Sequence, residues 1–151
     1  MGTELFASSR SVELVIVATG EEVRRASEWL DAACRQCNVP PELVEQLVLC
    51  LNEALANVIV HGGSMALSSP VRLLLEVSAE PEGSKAGVTV SDAGIAFNPL
   101  SVSKQILPKT LDEATPGGLG LVIIGHFSDW IDYRHEDGHN HLTFGTRWKL
   151  P

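Results

Sequence analysis

Glu53 and Asn57 stand four residues apart, with His61 one turn further along. On a helix these three stack on one face, a different face from the one carrying Leu47, Leu51, Ala54 and Val58. A carboxylate can take a proton from a hydroxyl, and an amide oxygen one turn away can join it around a metal–phosphate group. Further on, an apolar alternation ends in Ser91-Asp92-Ala93-Gly94-Ile95-Ala96-Phe97-Asn98-Pro99. An aspartate at a strand end can accept a hydrogen bond from an exocyclic amine, and the glycine after it lets a flat ring approach the backbone without meeting a Cβ. Gly117-Gly118-Leu119-Gly120-Leu121 opens a third pattern, a helix start whose free N–H groups and dipole favour phosphate. Taken singly, each has a plainer reading: the solvated side of a helix, an Asp-x-Gly turn, a glycine hinge.

No Gly-x-x-x-x-Gly-Lys-Ser/Thr occurs, which excludes a Walker-type phosphate loop, and the absence of Gly-x-Gly-x-x-Gly counts against a dinucleotide-binding Rossmann unit. Cys34-Arg35-Gln36-Cys37 has the spacing of a redox or zinc pair. It falls on the apolar face of a helix with no second pair to complete four ligands, so buried core thiols are expected. His135, His139 and His141 flank an Asp137-Gly138 turn and read as solvated turn residues rather than metal ligands.

The elements that must hold these residues follow from periodicity. Val12, Leu14 and Ile16 alternate as a first strand. Thr19 and Glu22 have capping-box spacing and open a helix with Val23, Ala26, Leu30, Ala33, Cys34 and Cys37 on one face. Pro40-Pro41 starts the helix that carries Glu53 and Asn57, and Gly62-Gly63 is expected to close it. Val71 to Val77, then Val88 and Val90, form two antiparallel strands around a Pro81–Ser84 turn. Pro99 to Pro116 loses periodicity and reads as a lid. A helix from Gly117-Gly118 and a hairpin pairing Trp130–His135 with His141–Trp148 complete the chain. The order is βααββ, lid, αββ: an α/β chain of the α+β two-layer sandwich kind, its mixed, mostly antiparallel sheet covered on one face by helices.

A length of 151 residues suits one domain that buries roughly 68–70% of its unfolded surface. Apolar residues at 44% and charged residues at 20% exclude disorder as the expectation. A net charge of −8, with Lys and Arg scattered, argues against direct nucleic-acid binding, which needs a basic surface to displace counterions. The first residues lack a basic region followed by an apolar stretch, and no unbroken apolar run approaches the ~20 residues that span a bilayer. Three cysteines, an odd number, favour reduced thiols. A cytoplasmic protein without a membrane partner is expected.

The motifs in register resemble the GHKL ATPase superfamily, which contains gyrase-type, chaperone and histidine-kinase ATP-binding domains. The closer likeness is to anti-sigma-factor serine/threonine kinases. It is carried by Asn52-Glu53-Ala54-Leu55-Ala56-Asn57 with His61-Gly62, by Asp92-Ala93-Gly94 with Phe97-Asn98-Pro99, and by Gly117-Gly118-Leu119-Gly120-Leu121. The tail Asp132-Tyr133-Arg134 through Gly138-His139-Asn140-His141-Leu142 completes it, and the likeness covers residues 10–150, with 1–9 as a flexible N-terminal segment.

The resemblance implies a histidine-kinase-like ATPase fold binding ATP with Mg²⁺. Asn57 would coordinate Mg²⁺, and Glu53 would be the general base on a substrate hydroxyl. Asp92 would bind the adenine amino group, and Gly94 would make room for the ring. The Gly117–Gly120 amides would hold phosphate, with Lys104, Lys109, Thr110 or Thr115 as lid contacts, and Phe97, Leu119 and Leu121 would complete the nucleotide site. Two departures stand out: Asn98 where the family often has Asp, and Ala96 where histidine kinases carry glycine; the second favours the anti-sigma branch. The implied function is phosphorylation of a small antagonist protein alternating with sequestration of a sigma factor. The alternative is an ATP-binding sequestering module with little or no kinase activity. A histidine-kinase catalytic domain is disfavoured, because about ten residues before the first strand are too few for a two-helix dimerisation segment. The first strand and helix offer a surface for a homodimer.

Overall fold

The computed structural model describes residues 9–96 and 118–149. Phe97, the expected lid with Lys104, Lys109, Thr110 and Thr115, Gly117, and residues 1–8 of the N-terminal segment lie outside the described residues. Strand β1 (Arg10–Ile16) leads into α1 (Gly20–Gln36), α2 (Pro41–His61) and a short α3 (Gly63–Ser68). Then come β2 (Val71–Glu80), β3 (Gly83–Asp92), α4 (Gly118–Phe127), β4 (Trp130–Glu136) and β5 (His139–Trp148).

The local signals act as their chemistry dictates. Thr19 is the N-cap of α1, its hydroxyl accepting from Glu22 N at 3.3 Å. Pro41 occupies the first turn of α2, where no N–H is needed. Asp137 and Gly138 both take positive φ, 54° and 74°, and the register Glu136↔His139 makes the β4–β5 connection a two-residue hairpin.

The sheet runs β1-β2-β3-β5-β4, and each neighbouring pair is antiparallel. Among the described strands the expected mixed sheet is therefore corrected to a wholly antiparallel one. Tight turns force the β2–β3 and β4–β5 pairs, and the helical excursions return their strands antiparallel too. One sheet face buries Val71, Leu73 and Leu75 of β2, Ala86, Val88 and Val90 of β3, and Phe144 of β5. Against it pack Ala26, Leu30 and Cys34 of α1 and Leu47, Leu51 and Leu55 of α2, and Ile124 of α4 joins the same cluster.

Two features depart from expectation. Gly62 caps α2 after His61 as expected, but Gly63 at φ 75° then turns the chain into the short α3, which buries only Ala66 and was not expected. A six-residue helix with one buried position has no periodicity to read. In addition, α2 is 21 residues long and its most apolar 18-residue window has a mean hydropathy of 1.6, enough by length and composition to cross a membrane. Glu45, Gln46, Asn52, Glu53 and Asn57 interrupt the apolar run. The fold accounts for that hydropathy, because α2 packs against α1, α4 and the sheet with Val44, Leu47, Leu51 and Leu55 at most 2% exposed.

Candidate functional site

A cleft opens where the C-terminal half of α2 meets the ends of β3 and β5. Helix α2 contributes Ala54, Asn57, Val58 and His61, spaced so that one face reaches the opening. The sheet contributes Val90 and Asp92 from β3, Asn140 and Leu142 from β5, and Tyr133 from β4. Antiparallel register sets these side by side: Asp92 opposes Asn140, Val90 opposes Leu142, and Leu142 opposes Tyr133. Ile95 covers one edge and is 66% exposed, an apolar side chain left in solvent at the mouth of the cleft.

Asp92 is buried at 6% exposure. Its Oδ1 accepts from Gly94 N at 2.8 Å and from Asn140 Nδ2 at 3.2 Å. Both of these described hydrogen bonds fall on Oδ1, and none among the described residues falls on Oδ2. The turn that follows is strapped to the end of α2, with Ile95 N donating to Gly62 O at 3.1 Å. A Cβ on Gly94 would stand 2.8 Å from both Cα and O of Gly62. The glycine thus serves a close approach of two backbones, in addition to any room it leaves for a ring.

Asn57 corrects the expected helix faces. It is buried, and it shares a cleft wall with Ala54 and Val58 instead of a separate, solvated stripe. Among the described residues neither Nδ2 nor Oδ1 of Asn57 has a hydrogen-bond partner. A buried amide left unsatisfied costs about 1–3 kcal/mol, so a polar ligand in the cleft is the natural partner. The Asn57 side chain offers an amide oxygen, a hard donor of the kind a cation such as Mg²⁺ accepts. Glu53, one turn before Asn57, is half-buried and does not line the cleft. Asn52 is used elsewhere, accepting from Ser27 Oγ at 2.7 Å to tie α2 to α1.

Gly118, Leu119, Gly120 and Leu121 form the first turn of α4, which packs along α2. Asn140 was not singled out as a site residue by sequence reasoning, nor was Tyr133. Asn140 is 7% exposed and touches Asp92, Gly94 O, Ile95 O, Tyr133 and His135. Its signal lay in the β3–β5 register, which no local pattern carries.

The decoys resolve in part: Cys34 is buried as expected while Cys37 is only half-buried, and the three histidines divide. Burial, with smaller contributions from Cys37 and Asp31, pushes the Cys34 thiol up to about 12, and burial also raises Cys50. His139 is exposed, its Nδ1 against Asp137 O at 3.0 Å. His141 is half-buried on the opposite sheet face, hydrogen-bonded to Ser91 Oγ at 2.7 Å. His135 is exposed but joins the site network through Asn140.

Residues 16–146 match the family described as the histidine kinase-like ATPase domain. Over 136 residues the chain is 29% identical to the serine/threonine-protein kinase BtrW of Bordetella bronchiseptica, covering 90% of this chain and 93% of that protein. It is 26% identical over 127 residues to an anti-sigma F factor of Pasteuria penetrans, covering 84% and 83%. The fold is similar to that of the RsbU and RsbW domains of a Mycobacterium tuberculosis protein, with a TM-score of 0.66 and 15% identity. That likeness covers 94% of this chain and 33% of the longer one, and at such identity it speaks of fold alone.

Proposed function

The chain belongs to the histidine kinase-like ATPase domain family, and from that premise we propose that it is an ATP-dependent protein serine/threonine kinase of the anti-sigma-factor type. The observation that carries the reading is the buried, unpartnered Asn57 amide in the same cleft as Asp92, whose Oδ1 is already occupied. The kinase name of the Bordetella relative and the anti-sigma name of the Pasteuria relative support the class.

Each residue has a task. Asp92 Oδ2 accepts from the exocyclic amine of adenine, while Val58, Ile95 and Leu142 supply apolar walls for the ring. Asn57 holds Mg²⁺, which when bound neutralises phosphate charge. Glu53, one turn along α2, takes the proton from the attacking serine hydroxyl. The amides of Gly117, Gly118 and Gly120 hold phosphate at the start of α4. Phe97, Leu119, Leu121 and Thr115 complete the nucleotide site, with Lys104, Lys109 and Thr110 as further phosphate contacts, and residues 10–150 act as one unit. The substrate is a small antagonist protein presenting a serine, and in alternation with this the chain sequesters a sigma factor. A cytoplasmic setting follows from the need for ATP. The exposed Val15 of edge strand β1 and Val17 just after it support a homodimer, which sedimentation at micromolar concentration tests.

One observation favours a second reading, an ATP-binding sequestering module with little turnover: Glu53 stands outside the cleft lining. Incubation with labelled Mg·ATP and small antagonist proteins from the same genome separates the two. Phosphoserine on one of them is the kinase result; nucleotide and partner binding without any transfer is the module result.

A further inference from the structure

Asn140 sits between two unlike sets of neighbours. On one side are Asp92 Oδ1 at 3.2 Å, Gly94 O at 3.4 Å and Ile95 O at 2.9 Å, all acceptors. On the other are Tyr133 OH and, at 3.2 Å, His135 Nδ1, both able to donate. Only one orientation of the amide satisfies both sides, with Nδ2 toward Asp92 and Oδ1 toward Tyr133 and His135. A flipped amide would set an oxygen against three oxygens in a buried site. The Tyr133 hydroxyl therefore fixes Asn140, and Asn140 fixes Asp92.

From this geometry we infer that Asn140 is a positioning residue that sets base selectivity, by engaging one oxygen of Asp92 and leaving the other as a pure acceptor in the cleft. The inference rests on the nucleotide reading above and adds a residue to it. With Oδ1 committed to Gly94 N and Asn140 Nδ2, the carboxylate cannot rotate to suit another ligand. An exocyclic amine, as in adenine, meets the free acceptor; a ring carbonyl at the same place, as in guanine, meets oxygen with oxygen. Because Asn140 also holds the carbonyls of Gly94 and Ile95, it keeps the strap on Gly62 in register with the carboxylate. Tyr133 belongs to the same device, its ring on the cleft wall and its hydroxyl on Asn140.

The test uses titrations of the full chain with Mg·ATP and Mg·GTP, with a thermal melt of every protein to establish folding. Asn140→Asp keeps the shape but turns the donor that faces Asp92 into a carboxylate. At about pH 8 the two like charges repel, and the expected ATP affinity falls about tenfold or more. Each carboxylate raises the other's proton affinity, so near pH 5.5 the pair shares a proton that replaces the Nδ2 donor, and affinity returns toward that of the parent. His135 on β4 and His61 on α2 line or adjoin the same cleft, Tyr133 contributes its phenol, and Asp92 its carboxylate. All are common to parent and variant, so the ratio of the two affinities is read at each pH. Asn140→Ala should lose affinity without recovery in acid. Tyr133→Phe keeps the ring and should narrow the preference for ATP over GTP several-fold. If folded Asn140→Asp and Tyr133→Phe both keep the parental preference at pH 8, the role of Asn140 is overturned while the nucleotide reading stands. Should Asn140→Asp fail to fold, the Tyr133→Phe result decides alone. A parent that binds neither nucleotide overturns both readings together.

Discussion

Asp92 and Asn140, 48 residues apart in the chain, oppose each other across the β3–β5 pairing, and Asn140 Nδ2 donates to Asp92 Oδ1 at 3.2 Å. The contact joins two strand ends at the rim of the sheet and closes one side of the cleft beneath α2. A buried carboxylate is tolerable there because two donors share one of its oxygens. In the proposed reading the other oxygen is the one that selects the base.

Asn57→Leu tests whether the unpartnered amide is a ligand site. Removing a buried, unsatisfied polar group of similar volume should stabilise the nucleotide-free protein by about 1–3 kcal/mol, about 2–4 °C in Tm for each kcal/mol at this size. The same variant should lose the added stability that Mg·ATP confers on the parent. Melts with and without Mg·ATP read both effects; a lower Tm for the empty variant, with an undiminished shift on Mg·ATP, would sink the assignment.

Gly94→Ala tests the strap. The added Cβ would meet Gly62 Cα and O at 2.8 Å, backbone atoms that cannot swing aside. The expected cost is about 1–3 kcal/mol, with weaker ATP binding because the turn carrying Asp92 shifts. Paired melts and titrations check this, and parental values for both would show that the two backbones have room to spare.

The buried Cys34 thiol gives a pH signature. Burial lifts it to about 12 from an ordinary value of 9.0, so the native state keeps a proton that the unfolded chain releases. The stability this contributes is fully present below about pH 9 and is lost as pH rises toward 12, with a slope of about 1.4 kcal/mol per pH unit. Urea titrations from pH 8 to 11 should show the loss, and Cys34→Ala should flatten it relative to the parent. An equal slope in both proteins would assign the loss to other groups.

Much of this frame was legible from residues. Thr19 and Glu22 announced α1, and Asp137-Gly138 announced the final hairpin, because capping and type I′ turns are local chemistry. Asp92 was legible as a strand-end acceptor. Asn140 was not, since strand pairing across 48 residues is decided by tertiary packing and leaves no local pattern. Asn57 was found by its spacing from Glu53 but set on the wrong surface. The solvated face of α2 runs through Glu42, Glu45, Leu49, Ala56 and Val60, and the cleft cuts into its buried side, where Ala54, Asn57 and Val58 lie together. The short α3 lacked enough apolar positions to signal itself.

The most direct measurement compares serine phosphorylation of an antagonist protein by the parent and by Glu53→Gln, with Mg·ATP affinity taken on the same samples. Glutamine keeps the size of the side chain and removes its basicity, while Asn57, Asp92 and Asn140 are untouched. The account predicts transfer by the parent, a rate about 10²–10⁴-fold lower for the variant, and nearly equal ATP affinities. Parental transfer rates in Glu53→Gln, or a parent that binds Mg·ATP yet forms no phosphoserine on any antagonist protein of its own genome, would contradict it.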